Sequence, residues 1–430
     1  MVGKTLVLAI LVGAVTAASA GPPSKTLERA IKLYDKQDFY SSHVELTKVV
    51  TGESGDDVAN KQRAEFFIGK TLYQLKYYVP AMAMFDKIAA AGSTHAYHRA
   101  VLKWYVALVD TLGYPMPALR TYDSKDVDDP AMESVRDRLR YLRGVLAVER
   151  GETGPAIEEL GKVAKTSPLY RQAQLATAFA RDQLATFATG DDIGDKAAVL
   201  EGDRLARAKQ WDKAIAAYGR ARPAGPFAKQ AMWGASWARL AKLGGAGLEP
   251  YAGLALPAQT RELAGSEPPA LSALLAVDYC AGKKQAPDGL ASYRANAKAI
   301  DQELAKLVAF DDSAEFYEHV NPRALQALSK LTQQLVRTAL ASPRIVAAFA
   351  FVGELTVELN ALSTADKAFQ TTQGAAEILQ ELTVQQAIAQ ADAGKLARTR
   401  VMALRKDLAA ALAAPAKLPV GGVALAPVCP

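Results

Sequence analysis

"EGDRLARAKQWDKAIAAYGRARPAGP", residues 201–226, carries a spacing that decides how most of the chain reads. Counted from Ala214, an aromatic residue, Tyr218, stands four places on, and Pro226 stands twelve on. Gly202 lies twelve places before it and Leu205 nine before. Residues four apart share one face of a helix, so Ala214 and Tyr218 belong to a single apolar stripe. Gly202 and Leu205 fall on an earlier helix, and the proline marks where the second helix stops, since it has no amide hydrogen to donate.

The same register occurs twice more. Around Ala81, Phe85 is four later, Leu72 nine earlier and Gly69 twelve earlier. Around Ala156, Leu160 is four later, Pro168 twelve later, Ala147 nine earlier and Gly144 twelve earlier. A glycine in the first helix, an alanine early in the second and a large side chain one turn further describe a helical hairpin. The small residues sit where the two backbones come close, and the large one fills the groove between them.

This pattern resembles the tetratricopeptide repeat (TPR) family, whose unit is two antiparallel helices. Two weaker units fit the frame: "KQDFYSSHVELTKVV", with Ser42 at the small position and Ala30 twelve earlier, and "LGYPMPALRTYDSK", with Ala118 and Tyr122 but Val106 in place of glycine. Spacings from Ser42 through Ala81 and Ala118 to Ala156 are 39, 37 and 38 residues. From Ala156 to Ala214 the interval is 58 residues, read as one extra helix over 170–188 followed by the loop "TGDDIGDK". The resemblance covers roughly residues 24–245 and implies an α-solenoid whose concave face binds other proteins.

The expected organisation is all-α: a leader over residues 1–20, TPR-like repeats over 21–262, a helical region over 270–414 and a Pro-rich tail over 415–430. "NPRALQALSKLTQQLVRTALA" opens with Asn321 as cap and Pro322 at the first helical position. Residues 363–413 lack proline and contain only Gly374 and Gly394, which predicts a long antiparallel helical hairpin.

The leader assignment rests on the positive start "MVGK", the apolar run "TLVLAILVGAVTA" and the small residues Ala18 and Ala20 of "ASA". That pattern predicts export with cleavage after Ala20, and so a periplasmic address, or secretion as the alternative. The richest later apolar run, "RIVAAFAFVGELTVELNAL", carries Glu354 and Glu358 and reads as too short to span a bilayer. Net charge is +6, and +5 once Lys4 leaves with the leader. Such a mild excess fits an ordinary solvated surface, and an exported chain is not expected to meet nucleic acid. Cys280 and Cys429 are the two cysteines, either a candidate disulfide in an oxidising compartment or two unrelated thiols.

Catalytic signatures are missing from the sequence: it has no phosphate-binding glycine loop, no G-x-S-x-G elbow and no H-E-x-x-H. His95 and His98 could share a helix face, but no third ligand stands near them, so no metal and no cofactor are expected. The acidic pairs Asp128–Asp129, Asp191–Asp192 and Asp311–Asp312 read as helix caps. Aromatic residues crowd the repeat half and are expected mainly in the hairpin core. Tyr77, Lys103, Arg140 and Arg143 are the candidates left for a partner-binding face. The reading is therefore a non-enzymatic scaffold or adaptor of a cell-envelope assembly, such as an outer-membrane assembly, secretion, motility or export machine, binding envelope proteins or peptides. The alternatives are an envelope enzyme acting on cell-wall polymer, and a homo-oligomer built through residues 363–413.

Overall fold

The computed structural model describes residues 21–113, 117–228, 230–231, 234–235, 238, 289–340 and 343–413. All the regular elements among them are helical. The leader over 1–20, Cys280 and Cys429 with the candidate disulfide, the tail over 415–430 and the side chains of Trp233 and Trp237 lie outside the described residues.

The repeat half is a succession of hairpins. Helices α1 (Lys25–Asp35) and α2 (Phe39–Thr51) form the first, and α3 (Val58–Gln74) and α4 (Tyr78–Ala90) the second. Helix α5 (Val101–Leu112) follows, then a short α6 (Ser124–Asp128). Helices α7 (Arg136–Glu149) and α8 (Thr153–Gly161), then α9 (Tyr170–Ala180), then α10 (Asp192–Arg207) and α11 (Trp211–Tyr218) complete it.

One turn geometry recurs between the first and second helices. Gln37, Lys76, Gly151, Asp182 and Lys209 all take left-handed φ values, between 55° and 73°. After each, the next amide reaches back across the turn to a carbonyl: Asp38 to Leu33, Tyr77 to Leu72, Glu152 to Ala147, Gln183 to Ala178 and Gln210 to Leu205. This is the 6→1 bond of a Schellman cap, which satisfies a carbonyl left open at the helix end. The left-handed residue stands five places before Ser42, Ala81, Ala156 and Ala214, so the repeat register is also a backbone register.

Those small positions are fully buried, and Ser42 turns its hydroxyl to the carbonyl of Ala30 at 2.9 Å. Glycine allows the close approach opposite them. A Cβ on Gly69 would lie 2.5 Å from the Phe85 ring, and one on Gly202 would lie 2.5 Å from the Tyr218 ring. Gly234 also abuts the Tyr218 ring, where a Cβ would come within 2.4 Å. Its hydroxyl donates to Asp203 Oδ1 at 2.7 Å, so the ring is also held at its tip. Gly144, Ala156 and Leu160 are likewise buried.

Two units differ from expectation. Ala118 does not start a second helix: residues Pro117–Thr121 form a 3-10 turn, followed by α6. The interval before Ala214 holds a shortened hairpin, in which α9 makes the standard turn at Asp182 but its second helix shrinks to a 3-10 turn, Leu184–Thr186. Part of the expected "TGDDIGDK" loop is helix, because Asp191 caps α10 by accepting from Gly194 N.

Further along the chain come α12 (Gly289–Val308), α13 (Ser313–His319), α14 (Lys330–Leu340), α15 (Pro343–Ser363), α16 (Lys367–Gln370) and α17 (Gln373–Ala413). The acidic turn around 311–320 is thus helix α13, capped by Asp312. Asn321 does cap the next turn, accepting from Arg323 and Ala324, but that helix breaks at Leu328 in extended conformation. Ser329 then restarts the chain as α14, with its hydroxyl on Glu303. Residues 363–413 do not form a hairpin by themselves: α17 is a single helix of 41 residues, and the reversal comes before it, at α16. The apolar stretch Arg344–Ser363 in α15 is long and apolar enough to cross a membrane, so the expectation that it is too short does not hold.

The chain divides into two compact units that are not consecutive stretches of sequence. One comprises residues 1–146, 162–167 and 357–383, the other residues 147–161, 168–356 and 384–430. In the second, Ile300 and Leu304 of α12, Phe316 of α13, Leu335 and Val336 of α14 and Val401 and Leu404 of α17 make one apolar core. Gly394 of α17 lets the start of α13 come into contact, since a Cβ there would sit 1.7 Å from the carbonyl oxygen of Ser313.

Candidate functional site

The first unit carries a strip of half-exposed aromatic and cationic side chains on its first two hairpins. Arg63, Phe67, Lys70 and Gln74 recur along α3 at spacings of four, three and four, which places them on one helical face. From α1, Tyr34 packs edge-on against Phe67 with ring centroids 5.3 Å apart. From the turn after α4, Tyr97 stacks on Phe66 at 4.8 Å.

Lys70 is the centre of this strip. It is only 8% exposed, and its ammonium lies 4.4 Å from the Tyr34 ring centroid and 4.1 Å from that of Phe67. Attraction to the ring faces offsets part of the cost of removing this charge from water. Burial pushes the amine down to about 8, while Asp35 pulls it up and Arg63 pushes it further down. Burial also raises Tyr34 and Tyr97 above the ordinary phenol range. The strip therefore offers the half-exposed rings of Tyr34 and Phe67 beside one half-exposed cationic group, Arg63, with the Lys70 ammonium buried against those rings.

Of the four partner-binding candidates, three have side chains engaged or buried within the fold. Tyr77 is fully buried and offers no open ring. Arg140 is 2% exposed and pairs with Asp128, which holds that carboxyl below its ordinary value. Arg143 is half-buried and donates to the carbonyls of Leu119 (3.2 Å) and Tyr122. The physical reason for Arg143 is the missing second helix around Ala118: its irregular backbone leaves carbonyls that this guanidinium group satisfies. Lys103 stands half-buried on α5. The signal that would have found Lys70 is the spacing of Arg63, Phe67, Lys70 and Gln74 within the best-formed first helix.

His95 and His98 are buried in the turns before α5, 5% and 7% exposed, and not on a helix face. His95 Nε2 lies 3.2 Å from Glu65 Oε2, and this contact is the main cause lowering the Glu65 carboxyl. His98 stacks on Tyr122 at 4.2 Å. Among the described residues no group of three or more His, Cys, Asp or Glu side chains is set to hold a metal ion. Of the carboxyls raised by burial, Asp86 accepts from the Tyr105 hydroxyl at 2.6 Å, and Glu149 lies on α7.

Residues 357–383 also pack onto these first hairpins. Helix α4 begins without a side-chain cap of its own. Glu358, 2% exposed, supplies one from 279 positions away, with both carboxylate oxygens 3.3 Å from Val79 N. An anion suits the positive end of a helix dipole. Burial, then Tyr40 and then Glu358 raise the neighbouring Tyr77 hydroxyl. Phe369 lies 4.6 Å from Tyr40 and 5.8 Å from His43 by ring centroids. A Cβ on Gly374 would lie 2.7 Å from the His43 ring, so glycine is what lets α17 start there. Burial pushes His43 down to about 4, leaving it a neutral core residue.

Compared with known proteins, the chain matches no family model, no curated protein and no solved structure.

Proposed function

We propose that the chain is a periplasmic, TPR-like scaffold or adaptor of a cell-envelope assembly, binding a partner protein across the aromatic and cationic strip of its first two hairpins. The observation that carries this reading is Lys70 held between Tyr34 and Phe67 beside half-exposed Arg63 and Tyr97. Aromatic and arginine side chains are the usual anchors of protein interfaces. A matching partner segment presents an apolar side chain to the rings and an acidic one to Arg63.

In-cell cross-linking of the tagged full-length chain, with mass spectrometry, tests this. The expected result is an envelope protein captured by the wild type and lost in Arg63→Glu and Lys70→Glu variants that melt at the wild-type temperature. Equal capture by all three chains overturns the assignment of the strip.

A second reading, self-association through the C-terminal helices, is favoured by exposed apolar residues there: Val346 on α15, and Val384, Ile388 and Met402 on α17. Soluble proteins bury most such side chains when they cluster. Sedimentation equilibrium separates the readings, because a monomer at micromolar concentration removes this one.

A further inference from the structure

Gly21 is gripped at both of its backbone groups. Its amide nitrogen donates to Asp57 Oδ2 at 2.7 Å, and its carbonyl accepts from Asn60 Nδ2 at 3.1 Å. Asp57 is the N-cap of α3 and gives its other oxygen to Asn60 N at 2.8 Å. The neighbouring Asp56 is engaged elsewhere, accepting from Ser24 N, Ser24 Oγ and Ser54 Oγ. Asp57 Oδ2 is therefore the oxygen directed at Gly21. A side chain would crowd this contact, since a Cβ on Gly21 would stand 3.1 Å from the same oxygen. Pro22 and Pro23 follow and restrict the backbone between the grip and α1.

At 2.7 Å the contact is a charge-assisted hydrogen bond to a carboxylate, like those of the Lys125 and Gly194 amides to Asp123 and Asp191, and the same position suits a charged nitrogen. The small residues Ala18 and Ala20 place a cleavage site immediately before Gly21.

We propose that Asp57 and Asn60 form a docking site for the chain's own processed N-terminus, the α-ammonium group of Gly21. A signal peptidase adds water across the Ala20–Gly21 bond. Ala20 leaves as the carboxylate end of the leader, and the freed Gly21 amine takes up a proton. The new cation then sits on Asp57 Oδ2, where the peptide N–H had been, so that processing converts a hydrogen bond into an ion pair and fastens α1 to the start of α3. This inference rests on the export reading, and its test separates the two.

The full 430-residue chain, with a C-terminal tag, is expressed in an exporting bacterial host, and its first residue is determined by N-terminal sequencing. Gly21 is expected. A chain left uncut in the cytosol overturns both the export reading and the docking site. A chain exported but starting elsewhere overturns the docking site alone. The α-amine pKa is then measured by competitive labelling, peptide by peptide, in three chains: one starting at Gly21, one retaining Ala20 as first residue, and the first carrying Asp57→Asn. Retaining Ala20 moves the amine about 3.8 Å along the chain, and asparagine keeps the helix cap. In the Gly21 chain the amine is expected about half a unit or more above the ordinary range of about 7.7–8.0, and within that range in the other two. An ordinary value in the Gly21 chain refutes the docking site and leaves export standing.

Discussion

Replacing Gly202 by alanine tests whether the repeat register is a packing constraint. The added methyl would lie 2.5 Å from the Tyr218 ring. The ring has little room to shift, because Gly234 also abuts it and its hydroxyl is bonded to Asp203. Overpacking a filled site costs about 1–3 kcal/mol, against about 1 kcal/mol returned by alanine's better helix propensity. The net expectation is a loss of up to about 2 kcal/mol. Gly353 on α15 is the control, since nothing lies within 4 Å of its would-be Cβ. Gly353→Ala should stabilise by about 0.5–1 kcal/mol. Urea denaturation followed by circular dichroism reads both as shifts in midpoint at constant m. A double-mutant cycle with Tyr218→Leu, which trims the obstructing ring, should show a coupling of about 1 kcal/mol or more in the direction of relief. A Gly202→Ala chain more stable than its parent, or no coupling to Tyr218, refutes the argument.

Three further outcomes are expected. An unfolded His43 protonates near pH 6.5 and the folded one near pH 4, so between those values the unfolded chain holds more protons. His43 costs nothing above pH 6.5, and it erodes stability by up to about 1.4 kcal/mol per unit as pH falls towards 4. His43→Leu should flatten that slope in pH-dependent melting, and an unchanged slope counts against the burial argument. Glu358→Ala strips Val79 N of its acceptor and should cost about 1–3 kcal/mol, while the exposed Glu354→Ala leaves the melting temperature unchanged; equal effects would deny Glu358 its capping role. Gly394→Ala drives a methyl into the Ser313 carbonyl, a backbone atom that cannot rotate away. It should cost about 3 kcal/mol or more, visible in the melting temperature, and tolerance would mean that α13 and α17 are not in contact there.

Much of the helical architecture was legible because small and large residues at fixed spacing record how close two helices come. Gly69 with Phe85 and Gly202 with Tyr218 meet as the register implies. The left-handed turns were not legible: only Gly151 of the five carries the residue that advertises a positive φ, and Gln37, Lys76, Asp182 and Lys209 adopt it because the closing hairpin imposes it. The failed second helix at Ala118 and the truncated one after Asp182 were hidden for a related reason, since spacing alone does not say whether a turn of helix finds a partner to pack on. The candidate site followed the same divide. Arg140 and Arg143 were candidates for a partner, yet Arg140 pairs with Asp128 and Arg143 serves the irregular backbone at Leu119 and Tyr122.

By itself the sequence determined what depends on neighbours a few residues apart: the helical class, the hairpin register, the aspartate caps and the glycines where backbones touch. Tertiary structure alone decided which distant groups meet. Glu358 caps a helix 279 residues away, Gly374 admits α17 beside His43, and Lys70 sits among aromatic rings from two helices. The physical reason is that caps and helix faces arise from bonds spanning three or four residues, whereas burial and pairing of a charge depend on every element that closes around it.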